Sequence, residues 1–120
     1  VHAMAVEGAD RLAAVSAGGL FARADKRLSI GFRALIATSL RSVYDDLEAM
    51  EMVIGASDLD WTIVRPYGLS DAPQTGRYRL TEDGSLMRKA QRISRADVAA
   101  VVVKALETDR WLRKAVTVAE

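Results

Sequence analysis

Ser57-Asp58-Leu59-Asp60-Trp61-Thr62-Ile63-Val64-Arg65-Pro66 is the stretch that sets the fold. A polar turn leads into a short apolar, β-branched run, and the run stops at a proline. The pattern predicts a helix-to-strand turn, a buried strand over 60–65 and an abrupt loop at the strand's carboxyl end. Open α/β sheets bind their ligands at the carboxyl ends of the strands. Pro66, Tyr67, Gly68 and Leu69 therefore stand where a bound molecule is expected.

Upstream of this strand, Phe32, Leu35, Ile36 and Leu40, then Val43, Leu47, Met50 and Ile54, recur at helical spacing. They predict one long amphipathic helix, or two with a break near Thr38-Ser39, ended by Gly55. Residues 1–7 read as the last turns of another helix, with Gly8 at its C-cap. Leu12-Ala13-Ala14-Val15-Ser16 is apolar without alternation, which predicts a strand covered on both faces. Ala17-Gly18-Gly19-Leu20 is the loop at its carboxyl end, and residues 21–31 carry no clear pattern.

Downstream, the loop from Tyr67 to Gly76 holds Pro73, and Arg77-Tyr78-Arg79-Leu80-Thr81 alternates weakly, as a short edge strand does. Asp83-Gly84 marks a turn. Ser94-Arg95-Ala96-Asp97 is a variant capping box, a hydroxyl N-cap with an acid three residues on. Val98, Val101, Val102, Ala105 and Leu106 form the apolar face of the helix that follows, ending at about Glu107. Ala115-Val116-Thr117-Val118-Ala119 is a final strand.

This order predicts an α/β domain with a mainly parallel sheet and flanking helices, a single domain over residues 1–120. Three core strands are few for a doubly wound sheet. The chain is expected to expose apolar surface, and so to form a homodimer, receive a missing half or be a truncated fragment. Position 1 is Val, a weak pointer to residues upstream.

Composition narrows the function classes. With no cysteine among 120 residues, disulfides, thiolate catalysis and Cys-ligated metals are excluded, as fits a cytoplasmic protein. A net charge of +1 gives no drive toward nucleic acid or anionic membrane. Charges interrupt every apolar run, so no membrane span is expected, and the first residues lack the basic flank of a signal peptide.

Four blocks together resemble a known family: Leu12-Ala13-Ala14-Val15-Ser16-Ala17-Gly18-Gly19, Asp58 through Pro66, Asp71-Ala72-Pro73-Gln74-Thr75-Gly76-Arg77-Tyr78-Arg79, and Ile93-Ser94-Arg95-Ala96-Asp97-Val98-Ala99. The chain is similar to the carboxyl-terminal half of atypical short-chain dehydrogenase/reductases. Within these NAD(P)H-binding, NmrA-like proteins it most resembles the flavin reductase/biliverdin reductase B type. The resemblance implies a Rossmann-like fold that is incomplete here. The family's first strand, Gly-x-x-Gly-x-x-Gly turn and pyrophosphate-binding helix have no counterpart in this sequence. Tight dinucleotide binding by this chain alone is therefore not expected.

For the site, the resemblance implies Ser16 as a catalytic hydroxyl reaching toward the nicotinamide and the substrate. It also implies Ser16, Ala17, Gly18, Pro66, Tyr67, Gly68 and Leu69 as cofactor-binding residues, for NADP in preference to NAD. A hydroxyl at position 16 can donate to developing negative charge or orient the carboxamide; from spacing alone, a serine that ends a strand more often bonds local backbone. Pro66 locks φ and removes a donor, as suits a wall beside a ring, or it simply ends the strand. Arg65 reads as an anion partner or, more commonly, a structural or solvated charge.

Other residues carry weaker signals. Trp61 and Thr62 point to opposite faces, with Trp61 expected in the core. Tyr44 is followed four positions on by Glu48 rather than a lysine, which argues against a tyrosine general acid and for a packing role. Asp45, Asp46, Glu48 and Glu51 read as a solvated acidic face without a second ligand cluster, so no metal site is expected. His2 is the only histidine and lies outside any such cluster. The basic segment holding Arg77, Arg79, Arg88, Lys89, Arg92 and Arg95 reads as a solvated loop, with a nucleotide phosphate contact as the lesser alternative.

The implied activity is NAD(P)H-dependent reduction of a small conjugated acceptor of flavin or quinone type, with this chain alone not expected to turn over. The alternatives are a non-catalytic NAD(P)-sensing regulatory protein and a half-domain that dimerises as an interaction module.

Overall fold

The computed structural model describes residues 1–18, 30–85 and 87–120. Three parallel strands form the centre: β1 (Arg11–Val15), β2 (Asp60–Pro66) and β6 (Lys114–Ala119), side by side in that order. β4 (Arg79–Thr81) adds antiparallel to the outer edge of β6. A separate parallel pair joins β3 (Leu69–Ser70) to β5 (Ile93–Ser94). The helices are α1 (His2–Glu7), α2 (Ile30–Thr38), α3 (Arg41–Gly55) and α4 (Arg95–Glu107). A mostly parallel sheet with flanking helices is the expected Rossmann-like class.

β2 is central because both of its faces are apolar. Thr62, Ile63 and Val64 are all buried, and consecutive side chains on a strand point to opposite faces. The Val64 face meets α4, whose Val98, Val101 and Ala105 pack with Val64, Val116 and Val118. The opposite face carries Ile63 and Arg65, and α3 lies there, because Arg65 pairs with Glu51 of that helix. Burying one such valine or isoleucine contributes about 1.5–3 kcal/mol. Thr62 is tolerated inside because its hydroxyl donates to the Trp111 carbonyl at 2.8 Å.

The punctuation acts as expected. Gly8 caps α1 at φ 73°. The two-helix alternative is the correct one, with the chain breaking between α2 and α3 at Ser39-Leu40. Ser94 caps α4, its hydroxyl accepting from the Asp97 amide at 3.0 Å. Gly84 turns at φ 72°, and Asp83 accepts from the Ser85 amide at 2.9 Å.

Several expectations are corrected. β1 is not covered on both faces: Val15 is exposed and the rest of the strand half-buried. The strand ends the sheet, with β2 its only partner among the described residues. Pro66 does not follow β2 but closes it, opposite Val118. The core tryptophan is Trp111, whose ring lies 5.6 Å from the Lys104 ammonium. Trp61, near the amino end of β2 opposite Leu12, is only half-buried. β3 and β5 fall in stretches expected to be loop and capping sequence. The loop at Gly19-Leu20, and the Phe32 and Ile36 side chains assigned to a helix face, lie outside the described residues. No helix among the described residues is long and apolar enough to cross a membrane.

Candidate functional site

β1 and β2 run parallel and in register, Val15 opposite Val64, so their carboxyl ends open side by side. The Ser16 amide donates to the Val64 carbonyl at 2.8 Å, which carries the ladder one bond past the strand. At the other exit the Tyr67 amide donates to the Val118 carbonyl at 3.1 Å. Between the two exits lies a cleft of about 430 Å³. Ser16 and Ala17 form one wall, Pro66, Tyr67, Gly68 and Leu69 the other, and Tyr44 of α3 and Arg95 of α4 complete it.

Six of the seven residues expected at the site thus share one cleft. The seventh, Gly18, is buried behind Tyr67 rather than on the wall. A β-carbon at position 18 would stand 3.0 Å from Tyr67 Cδ2 and 3.2 Å from the carbonyl oxygens of Arg65 and Pro66. Glycine is needed here because the two loops touch through backbone.

Ser16 is 8% exposed, and its hydroxyl has no hydrogen-bond partner among the described residues. The local-backbone role that spacing favoured is therefore not what this hydroxyl does. A buried hydroxyl left unpaired costs about 1–3 kcal/mol, so a polar group entering the cleft beside it would be favoured. Tyr67 is oriented at both ends: its ring lies over Gly18, and its phenolic oxygen accepts from the Met87 amide at 3.0 Å.

Behind the cleft, Arg65 grips Glu51 with two bonds, Nε to Oε1 at 3.0 Å and Nη2 to Oε2 at 2.5 Å. Glu51 was expected on a solvated acidic face; it is buried because it is the counter-ion of the arginine that closes the far side of β2. The Asp83-Gly84 turn lies on the same guanidinium, with a β-carbon at Gly84 standing 3.1 Å from Arg65 Nη1.

Asp97 secures the loop leaving the cleft. Its carboxylate accepts from the Ser94 hydroxyl (2.7 Å), the Thr75 amide and hydroxyl (3.1 and 3.2 Å) and the Gly76 amide (2.8 Å). Burial acts to raise its pKa, but these donors outweigh burial and hold the carboxyl below its ordinary value. A depressed folded-state pKa contributes stability that is present above the unfolded value and lost as pH falls through the folded one. The urea midpoint is thus expected to decline as pH drops below about 4, and Asp97→Asn to lower it at neutral pH while flattening that decline. Parallel pH profiles for the two proteins would contradict this role.

The basic segment is exposed, as expected, and several of its arginines are tied down by hydrogen bonds. Arg79 donates to the carbonyls of Arg88 and Lys89, both at 3.0 Å, and Arg92 donates to the Leu69 carbonyl at 3.0 and 2.5 Å. Arg95 Nη1 meets Asp71 at 2.5 Å. Sequence reasoning grouped Arg95 with the basic segment rather than the cleft, and assigned Tyr44 to packing alone. The β3–β5 pair brings Arg95 to the cleft by setting Ser70 beside Ser94. The only sequence signal for that pair is two apolar–hydroxyl dipeptides, too short to show a period. His2 stands on α1, away from the cleft, and no group of three or more His, Asp or Glu among the described residues is placed to hold a metal ion.

A family model described as NAD(P)H-binding matches residues 1–109. The chain belongs to this NAD(P)H-binding family. Its fold is shared by a short-chain dehydrogenase/reductase from Veillonella parvula, at 21% identity and TM-score 0.80, over 99% of this chain and 54% of that one. A Veillonella parvula short-chain dehydrogenase/reductase structure in complex with NADP matches at 21% identity and TM-score 0.76, over 99% and 54%. A candidate NADH-flavin reductase from Streptococcus pneumoniae matches at 21% identity and TM-score 0.65, over 92% and 55%. The chain thus spans about half the length of the solved structures it matches. No curated protein matches it in sequence.

Proposed function

We propose that the cleft holds the nicotinamide end of NAD(P)H, with NADP favoured over NAD, and beside it a flat conjugated acceptor of flavin or quinone type. The observation that carries this reading is the unpartnered, buried Ser16 hydroxyl in an otherwise largely apolar cleft at the carboxyl ends of two parallel strands. The donor set fits the group. A nicotinamide offers an apolar ring for Pro66 and Leu69 and a carboxamide able to satisfy Ser16. When bound, the reduced nicotinamide supplies a hydride.

The residues of the chain bind and orient. Pro66 and the Tyr67–Gly68 turn set the wall, and Ser16 fixes the ring through its carboxamide or donates to charge developing on the acceptor. Transfer of this kind depends on holding two rings at the right separation more than on a strong acid. No cysteine, metal cluster or lysine-paired tyrosine is called on. The sequence has no Gly-x-x-Gly-x-x-Gly turn, so tight dinucleotide binding by these residues alone is not expected, and turnover belongs to the protein in which a diphosphate cradle accompanies them.

The test is NADPH oxidation with flavin or quinone acceptors. Ser16→Ala is expected to lower kcat by about tenfold or more while the thermal midpoint holds or rises, because the mutation removes an unsatisfied hydroxyl. Dinucleotide binding without turnover on any conjugated acceptor would favour the sensing role. An unchanged kcat in Ser16→Ala would remove Ser16 from the chemistry.

A further inference from the structure

We propose that the cleft selects an acceptor carrying an anionic group, a phosphate monoester or carboxylate, and that Arg95 is the residue that selects it. This rests on the reading just given and adds to it a substrate class.

The cleft is apolar within and cationic at its rim. Arg95 lines it directly. Arg92 lies against the same turn, its Cγ 3.2 Å from where a Gly68 β-carbon would be and its guanidinium on the Leu69 carbonyl. Arg92 is therefore held as a scaffold, whereas Arg95 presents its charge. Its side chain is 59% exposed, and its one ion-pair partner among the described residues, Asp71, is 91% exposed. An exposed pair of this kind contributes only about 0–1 kcal/mol, so an incoming anion can take the place of Asp71 at little cost.

Asp97, two residues on from Arg95, does not compete for it. Its oxygens are spent on Ser94, Thr75 and Gly76. A guanidinium is a planar fork that matches phosphate and carboxylate oxygens two at a time. A flat ring beside the nicotinamide, with a charged tail reaching Arg95, gives that guanidinium a planar partner inside the cleft. A neutral acceptor leaves Arg95 with Asp71.

Riboflavin and flavin mononucleotide isolate the effect, because they share a ring and differ by one phosphate. Binding is read by quenching of flavin fluorescence, using the full protein that carries this chain. The mononucleotide is expected to bind about tenfold tighter than riboflavin, the value of one good charge-assisted contact. Arg95→Gln should bring that ratio to about one and Arg95→Lys should retain part of it. Asp71→Asn should raise the ratio, and high salt should lower it.

A preference that survives Arg95→Gln overturns the proposal. So does a loss in Arg95→Gln that falls on NADPH affinity rather than on the flavin ratio, which would make Arg95 a cofactor-phosphate contact. Equal binding of the two flavins by the unmodified protein overturns the anion preference and leaves the reductase reading standing. Failure to bind or reduce either flavin or a neutral quinone overturns both.

Discussion

Glu51→Ala is expected to destabilise the protein by about 3 kcal/mol, because it removes the buried carboxylate that the Arg65 guanidinium grips with two bonds. The side chains are 12% and 8% exposed, and the pair is bidentate, so solvent can do little to repair the loss. Replacing both partners, Glu51→Met with Arg65→Met, should recover most of the stability, since a buried ion pair and a well-packed apolar pair are often close in free energy. Urea unfolding of the single and double variants measures this. A single-variant loss under about 1 kcal/mol, or a double variant no better than the single, would show that the pair does not clamp α3 to β2. Arg65 immediately precedes Pro66, so the single variant should also loosen the cleft wall and weaken dinucleotide binding.

Gly18→Val acts on the same wall from the other side. The added β-carbon meets Tyr67 Cδ2 at 3.0 Å and two carbonyl oxygens at 3.2 Å. Those carbonyls belong to Arg65 and Pro66 and cannot retreat, because β2 is held by its ladder to β6. Tyr67 must move instead. Overpacking of this kind costs about 1–3 kcal/mol, and moving the ring breaks the bond from the Met87 amide to the phenolic oxygen. Hydrogen exchange at Met87 should accelerate together with a fall in the unfolding midpoint. Unchanged exchange at Met87 in a destabilised Gly18→Val would mean that the strain is absorbed elsewhere. Gly18→Ala should give the same signs at smaller size.

The features legible from sequence are those that a local pattern or a cap determines alone. β2 is buried on both faces and reads as an uninterrupted β-branched run. The start of α4 carries its own hydroxyl cap, and Gly8 and Gly84 sit at positive φ, where glycine is favoured. The cleft residues on both strand exits were legible for a related reason: parallel strands deliver their carboxyl ends to one edge, whatever the details of packing. Properties created by long-range pairing were not legible. Glu51 looks like its exposed neighbours Asp45 and Asp46, and only the approach of Arg65 makes it a buried counter-ion. Arg95 looks like one more charge in a basic segment until two-residue strands bring it to the cleft. Trp61 and Trp111 cannot be ranked for burial without knowing which end of β2 the helices cover. β1 reads as a covered strand because its composition suits one, whereas among the described residues only β2 pairs with it and Val15 is exposed.

The decisive experiment is amide chemical-shift mapping of the protein titrated with NADPH. Binding of the nicotinamide at the joint exit of β1 and β2 predicts that Ser16, Ala17, Tyr67, Gly68 and Leu69 shift together with one saturation curve, and that Ser16→Ala alters the pattern at Gly68 and Leu69. Shifts confined to the far face of α3 or to α1, with those five amides unmoved, would contradict it.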